Sequence, residues 1–298
     1  MRALSFNWPV CLLLLIEHGS SRPLSTISFT HITVRENQNP EIVPKEGRFV
    51  LYDVWQQIGI TKHWGGIPAT RHLIELCNIT SGQYVLDVGC GTGFTACLLA
   101  KEYHANVVAA DINTTVLEWA KKRIAEEGAS DSVKTYQADV HDLPFPRNTF
   151  DAVIAESVLV VCDKTKAASE INRVLRPGGL FGDSEATWLK PPPAEVVSFL
   201  SKSMRADVEV LQEDGWRQIF SKAGFELLSS SVRTINYGEQ ALSQLRVDGI
   251  RRYLGAIAEI MLDPNLRSAY FRRDISRREA SQFLSYFGYG LYVSRKVE

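Results

Sequence analysis

Between Val85 and Gly93 the chain reads Val-Leu-Asp-Val-Gly-Cys-Gly-Thr-Gly, a short apolar run that breaks into three alternating glycines. Gly89, Gly91 and Gly93 let the backbone turn sharply and approach a ligand that a side chain would hold away. A helix opening just after them would offer unpaired N–H groups. Asp87 stands two residues before the first glycine. Its carboxylate can accept hydrogen bonds from an ammonium group, and it would repel a pyrophosphate. A dinucleotide loop needs Gly-x-Gly-x-x-Gly, and the third glycine of that pattern is here Phe94. Asp111, at the end of the next apolar run, is placed to take both hydroxyls of a ribose. Asp139, in Ala138-Asp139-Val140, can accept from an exocyclic amino group while the Val140 amide meets a ring nitrogen; the alternative is that Asp139 caps the following turn.

The elements that must carry these residues follow from periodicity. Apolar runs predict strands over Tyr84–Val88, 105–110, 133–138, 150–155 and 180–184. Helices are predicted between them, over Thr92–Tyr103, from Asn113 as cap to near Gly128, and from Lys164 to Leu175, stopped by Pro177-Gly178-Gly179. That alternation implies an α/β fold, a Rossmann-like, seven-stranded, mostly parallel sheet with helices on both faces. Two N-terminal helices are predicted, over Arg48–Gly59 (stripe Val50, Leu51, Val54, Trp55, Ile58) and from Pro68 to about Cys77. A helix within 208–223, a strand to about Ile235 and a final strand over Gly290–Lys296 complete the core. Residues 239–287 read as a mostly helical insert between the last two strands. There Ile250, Tyr253, Leu254, Ile257 and Met261 recur at helical spacing, so that face is expected to be buried.

By domain, residues 1–47 read as a tail or targeting segment and 48–298 as one folded unit: N-terminal helices to 80, a ligand-binding core over 83–186, and C-terminal strands with a helical lid over 187–298. The apolar run Val10–Ile16 is too short to span a bilayer. A cytoplasmic location fits the composition, with mitochondrial or secretory targeting by the first residues left open. Lys plus Arg is 33 and Asp plus Glu 34, giving a net charge of -1, which disfavours nucleic acid as partner. Hydrophobic residues make up 45%, ample for a core. The five cysteines form no C-x-x-C pair, and the histidines no metal-ligand spacing, so reduced thiols and no metal are expected.

Taken together, Val85–Gly93, Asp111, Ala138-Asp139, Leu143-Pro144-Phe145, Phe150-Asp151 and Leu175-Arg176-Pro177-Gly178-Gly179 resemble the class I S-adenosylmethionine methyltransferases of the type 11 domain group. The similarity is close over residues 84–184. The group includes ubiquinone and menaquinone C-methyltransferases and glycine-betaine-type N-methyltransferases. The resemblance implies S-adenosyl-L-methionine as cofactor, with Asp87, Gly89, Cys90, Gly91 and Gly93 around its methionine part. It further implies Asp111 on the ribose, Asp139 and Val140 on adenine, Glu156 near the end of strand four, and Ile112 among the cofactor-binding residues. A small-molecule acceptor accepting on C, N or O is implied, in an unknown oligomeric state. After the fourth strand the chain reads Glu156-Ser157-Val158-Leu159, not the Asn/Asp-Pro-Pro-Tyr/Phe run of nucleic-acid amino methyltransferases. Arsenic methyltransferases share the core but rely on active-site cysteines, which the placement here does not favour.

Ligands of open parallel sheets bind beyond the carboxyl ends of the strands. That places Glu156, Ser157, Ser184 and Glu185 near the acceptor, with His63 and Trp64 able to close over it. His63 and Glu185 are the candidate bases. Tyr52 and Trp188 are candidate pocket aromatics. Arg251-Arg252, Arg267, Arg272-Arg273 and Arg277-Arg278 form a basic cluster that reads as an anion site or a solvated helix face. A cofactor-binding protein that no longer methylates is the competing reading.

Overall fold

The computed structural model describes residues 54, 57–61, 63–203, 208–271 and 283–297. The tail over 1–47, Tyr52, Trp55, Lys62 and the arginines at 272, 273, 277 and 278 lie outside the described residues, as does most of the helix expected over 48–59.

Strands β1 (Tyr84–Val88), β2 (Asn106–Asp111), β3 (Val133–Gln137), β4 (Phe150–Glu156), β5 (Leu175–Trp188), β6 (Leu211–Gln212), β7 (Phe225–Thr234) and β8 (Phe287–Lys296) form one sheet. Its order is β3-β2-β1-β4-β5-β8-β7, with β6 pairing β5 off that path. Seven strands were expected; the eighth is the two-residue β6, too short to leave an apolar signature. Pairings among β1 to β6 are parallel, and β8 runs antiparallel to both β5 and β7. The strand order reverses between β1 and β4, the position where open α/β sheets hold ligands.

Helices α1 (Gly66–Leu76), α2 (Phe94–Glu102) and α3 (Thr114–Glu126) cover one face, and α4 (Lys164–Val174) and α6 (Glu213–Lys222) the other. Because both faces are covered, Val107–Ala110 of β2 are all buried, which is why they read as an unbroken apolar run. Local sequence sets the helix starts. Asn113 Oδ1 accepts from the Thr115 and Val116 amides, and Asp163 Oδ1 from Lys166. Helix α5 (Ala194–Ser203) follows β5. The Pro177-Gly178-Gly179 signal ends α4 as expected but lies inside β5, where the pairing with β4 shifts register between Phe150 and Ala152.

The insert between β7 and β8 contains α7 (Tyr237–Leu262) and α8 (Pro264–Phe271). Helix α7 is kinked at Gly249, which has φ 71° and ψ 159°. Its expected buried stripe is corrected by the structure: Ile250 is 41%, Leu254 60%, Ile257 40% and Met261 50% exposed. The inward face is Ala256 and Ile260, which pack against Val54, Ile58 and Leu266. Of the basic cluster, Arg251 and Arg267 are exposed, while the Arg252 guanidinium lies 3.8 Å from the centre of the Trp119 ring. No helix of the described residues is long and apolar enough to cross a membrane.

Candidate active site

The glycine loop leaves β1 with Gly89, Gly91 and Gly93 all at positive φ (67°, 51° and 76°). Each glycine answers a different demand. Val158 occupies the space a Cβ on Gly89 would need, and a Cβ on Gly93 would meet Ala120 of α3 at 3.0 Å. A Cβ on Gly91 would meet nothing within 4 Å. Gly91 is therefore where the backbone is open to an incoming molecule, while the other two are packing positions.

Three acids surround this loop. Asp87 is 3% exposed, and its Oδ2 has no hydrogen-bond partner among the described residues. Burial pushes its carboxyl well above the usual carboxylate range, and the charges of Glu156 and Asp111 push the same way; the Ala96 amide pulls back only in part. Asp111 Oδ2 accepts from the Gly91 amide at 3.0 Å and Oδ1 from Asn113 at 2.9 Å. Its carboxyl too is raised by burial, against those amides and that of Ile112. Ile112 is half-buried, its carbonyl accepting from Gln137 Nε2. Cys90 is buried with its thiol raised by desolvation, a packing residue and not a nucleophile.

Glu156, at the end of β4, accepts from Thr95 Oγ1 on one oxygen and from Thr70 Oγ1 on the other, both at 2.7 Å. His63 Nε2 lies 3.0 Å from the same Thr70 oxygen. A hydroxyl has one proton, and the Glu156 contact is far shorter than the 3.5 Å contact to the Gly66 carbonyl. Thr70 therefore donates to Glu156, His63 Nε2 donates to Thr70, and Nδ1 is left as the nitrogen that can take up a proton. Ser157, next along, holds φ 63°, an unusual conformation for a non-glycine residue.

Asp139 closes a turn: its Oδ1 accepts from the His141 amide at 2.9 Å and meets the His141 ring Nδ1 at 2.7 Å. His141 Nε2 accepts from the Asp163 amide, so Nδ1 is the protonated nitrogen and donates to Asp139. Val140 is 8% exposed. Glu185 has no exposed surface; its Oε1 accepts from the Val158 and Leu159 amides at 2.7 and 2.6 Å. It thereby anchors the loop whose Val158 presses on Gly89. Burial pushes the Glu185 carboxyl up to about 8. Trp188 is core, packed edge-on to Phe283 and Phe287.

Sequence reasoning missed Thr70, Thr95 and Asp183. Asp183 is fully buried on β5 with neither oxygen hydrogen-bonded among the described residues. The signal for it was an acid inside a run otherwise reading as a buried strand.

Unpartnered Asp87 Oδ2, open Gly91 and a surplus of negative charge together fit a cationic amino-acid nucleoside and disfavour a pyrophosphate. Comparison with known proteins agrees. Residues 86–182 match the family model described as a methyltransferase domain. The C-methyltransferase UbiE of ubiquinone and menaquinone biosynthesis from Methylococcus capsulatus is 32% identical over 230 residues, 68% of this chain and 91% of that one. The chain belongs to the S-adenosylmethionine-dependent methyltransferases. Another methyltransferase, YodH of Bacillus subtilis, so far uncharacterized, is 34% identical over 165 residues, 55% of this chain and 69% of its own. Among solved structures, the [4+2]-cyclase SpnF shares the fold at a TM-score of 0.64 with 21% identity, covering 83% of this chain and 94% of that one. The methyltransferase cofactor, S-adenosylmethionine, is what Asp87 and the open glycine suit.

Proposed function

We propose that this methyltransferase methylates a carbon atom of an acceptor with an apolar body, held beyond the carboxyl ends of β4 and β5. The observation that carries the reading is the His63–Thr70–Glu156 chain, which orients one ring nitrogen to receive a proton. S-adenosylmethionine supplies, when bound, a methyl group already activated on a sulfonium. Asp87 holds the ammonium end, Asp111 the ribose, and Asp139 with Val140 flank the adenine side. A carbon that gains a methyl in place of hydrogen must give up a proton, so a base is required. His63 is that base, and Glu156, acting through Thr70, fixes its tautomer and steadies the imidazolium once formed. Glu185, with one oxygen engaged by two amides, serves as the anchor of the loop instead. The half-buried Trp64, next in sequence to His63, packs edge-on to the core residue Phe287 at 4.9 Å. An aromatic ring beside the base favours an acceptor with an apolar body. The UbiE relative, by its name, methylates carbon, which supports the choice of atom.

The test is incubation of the purified protein with methyl-labelled cofactor and an organic extract of cells. Label is expected in an extractable, base-stable product, and His63→Asn should abolish its formation while S-adenosylhomocysteine still binds. Binding without any transfer would favour the reading of a protein that keeps the cofactor but does not methylate.

A further inference from the structure

Arg123, largely buried near the end of α3, reaches across to other parts of the molecule. Its Nε donates to the Thr92 carbonyl of the glycine loop at 3.0 Å. One terminal nitrogen donates to Thr61 Oγ1 at 3.1 Å and to Asp248 Oδ1 at 2.6 Å, and the other to the Val247 carbonyl at 3.3 Å. The Asp248 side chain is 0% exposed and the Arg123 side chain 14%. Thr61 donates its amide to Asp248 Oδ2 at 3.0 Å and its hydroxyl to Oδ1 at 2.7 Å. The single Thr61 proton is thereby used, so the 2.6 Å contact between Thr61 Oγ1 and Thr92 Oγ1 has Thr92 as donor. The result joins three segments far apart in sequence: the loop before α1, the glycine loop and the insert.

The insert end of this junction sits at a break. Asp248 immediately precedes Gly249, whose non-helical backbone divides α7, and a Cβ there would meet nothing within 4 Å. On one side of the break, α7 lies against the loop before α1 and the first turn of α1: Gln240 donates to the His63 carbonyl at 3.1 Å, and Ser243 accepts from the Ile67 amide at 3.3 Å. On the other side, Ala256 and Ile260 pack on Val54 and Ile58. Undocking the insert would strip both Asp248 and the Val247 carbonyl from Arg123, leaving its guanidinium with the Thr92 carbonyl, Thr61 and the half-buried Glu127 at 3.6 Å, in place of a largely buried, hydrogen-bonded ion pair.

We infer that Arg123 and Asp248 are positioning residues that couple docking of the helical insert to the shape of the cofactor loop, so that filling one favours closing the other. Arg123 fixes the Thr92 carbonyl, between open Gly91 and packed Gly93, and it does so with full geometry only when Asp248 is in place. By reciprocity, a cofactor that settles the loop also steadies the insert that covers the acceptor side. The inference rests on the glycine loop being the cofactor loop.

The experiment is S-adenosylhomocysteine binding by calorimetry on the full chain, with hydrogen exchange of residues 237–262. Arg123→Gln and Asp248→Asn should each weaken binding about 10-fold, within the usual range of coupling between linked sites. The double variant should be no worse than about threefold below either single one, because both remove the same junction. Arg123→Lys should recover part of the loss. Ligand should slow exchange in the insert of the wild-type chain and not in Arg123→Gln. Ile124→Val, a core change on the same helix, should lower the melting temperature and leave binding unchanged. Additive losses in the double variant, affinities unchanged within threefold, or ligand protection of the insert that persists in Arg123→Gln would each overturn the coupling. Failure of the wild-type chain to bind would instead sink the assignment of the loop itself.

Discussion

Replacing Asp87 by Asn should weaken cofactor binding and strengthen the empty protein, two effects of opposite sign from one atom. Asn keeps the shape of the side chain but places a neutral amide where a carboxylate oxygen lies buried and unpaired. A hydrogen bond between charged groups contributes about 1.5–3 kcal/mol. At 1.36 kcal/mol per decade, its loss weakens S-adenosylhomocysteine binding about 10- to 150-fold. In the empty protein the sign reverses. Burial, with Glu156 and Asp111 adding their charges, raises the Asp87 carboxyl in the folded chain. A folded-state pKa above the unfolded one means that the folded chain holds the extra proton between the two values. The contribution to stability is then fully present below the unfolded value and is lost as pH rises through the folded one. Asn carries no such loss, so the melting temperature of Asp87→Asn should gain on wild type as pH rises from 5 to 8, by about 2–4 °C for each kcal/mol relieved. Calorimetry in two buffers of different ionisation enthalpy should show a proton released on binding to wild type and not to the variant. An Asn variant that binds within threefold of wild type, or that tracks the wild-type pH profile of melting, would refute the reasoning.

Gly91→Ala should cost about 1–2 kcal/mol of stability for its left-handed backbone and also at least 10-fold in binding, since its Cβ enters open space beside the acids; Gly128→Ala, equally strained at φ 67° and equally open, should cost only stability. Glu185→Gln should flatten the fall of melting temperature between pH 6 and 8.5, because the wild-type carboxyl, raised to about 8, carries stability present below its unfolded value and lost as pH climbs through the folded one; an unchanged profile would argue against that raised value. Thr70→Val should lower turnover about 10- to 100-fold while leaving S-adenosylhomocysteine affinity intact, and Thr70→Ser should restore most of it; a loss of affinity in step with turnover would show that Thr70 shapes the cofactor site and not His63.

The parts of the molecule legible in the sequence are those where local chemistry and long-range packing ask for the same residue. Positive φ demands glycine at 89, 91 and 93, and double burial demands the unbroken apolar run of β2, so both were readable. Asn113 capped its helix as its type predicts. The stripe from Ile250 to Met261 misled because helical spacing reports amphipathicity, not which side faces inward. There the inward side is Ala256 and Ile260, set by tertiary contact with Val54 and Ile58 that no local pattern encodes. Thr70 and Thr95 were invisible for a related reason. Each is an ordinary threonine on its own helix, and only the register of β4 against α1 and α2 brings both hydroxyls onto one carboxylate.

Several buried polar atoms without partners among the described residues lie together on the central strands. Asp87, Ser157, Asp183, Ser184 and Glu185 carry such atoms on or just after β1, β4 and β5, three successive strands of the sheet. An isolated buried carboxyl is costly, and burial drives Asp183, like Asp87, well above its usual range, with Glu185 and Glu156 adding to the effect. Apolar residues of similar size would pack those positions more cheaply, as Val153 and Phe181 do within the same strands. A chain that places five such residues across adjacent strands gives up stability there, as chains do at functional sites. In the proposed reading, the acids at the glycine loop meet their counter-charge in a cationic cofactor. Asp183 and Glu185, one strand further and on the opposite face from Glu156, cannot all discharge onto the same ligand. Neutralising Asp87 should therefore cost binding, whereas neutralising Asp183 by Asn should raise stability with little loss of cofactor affinity.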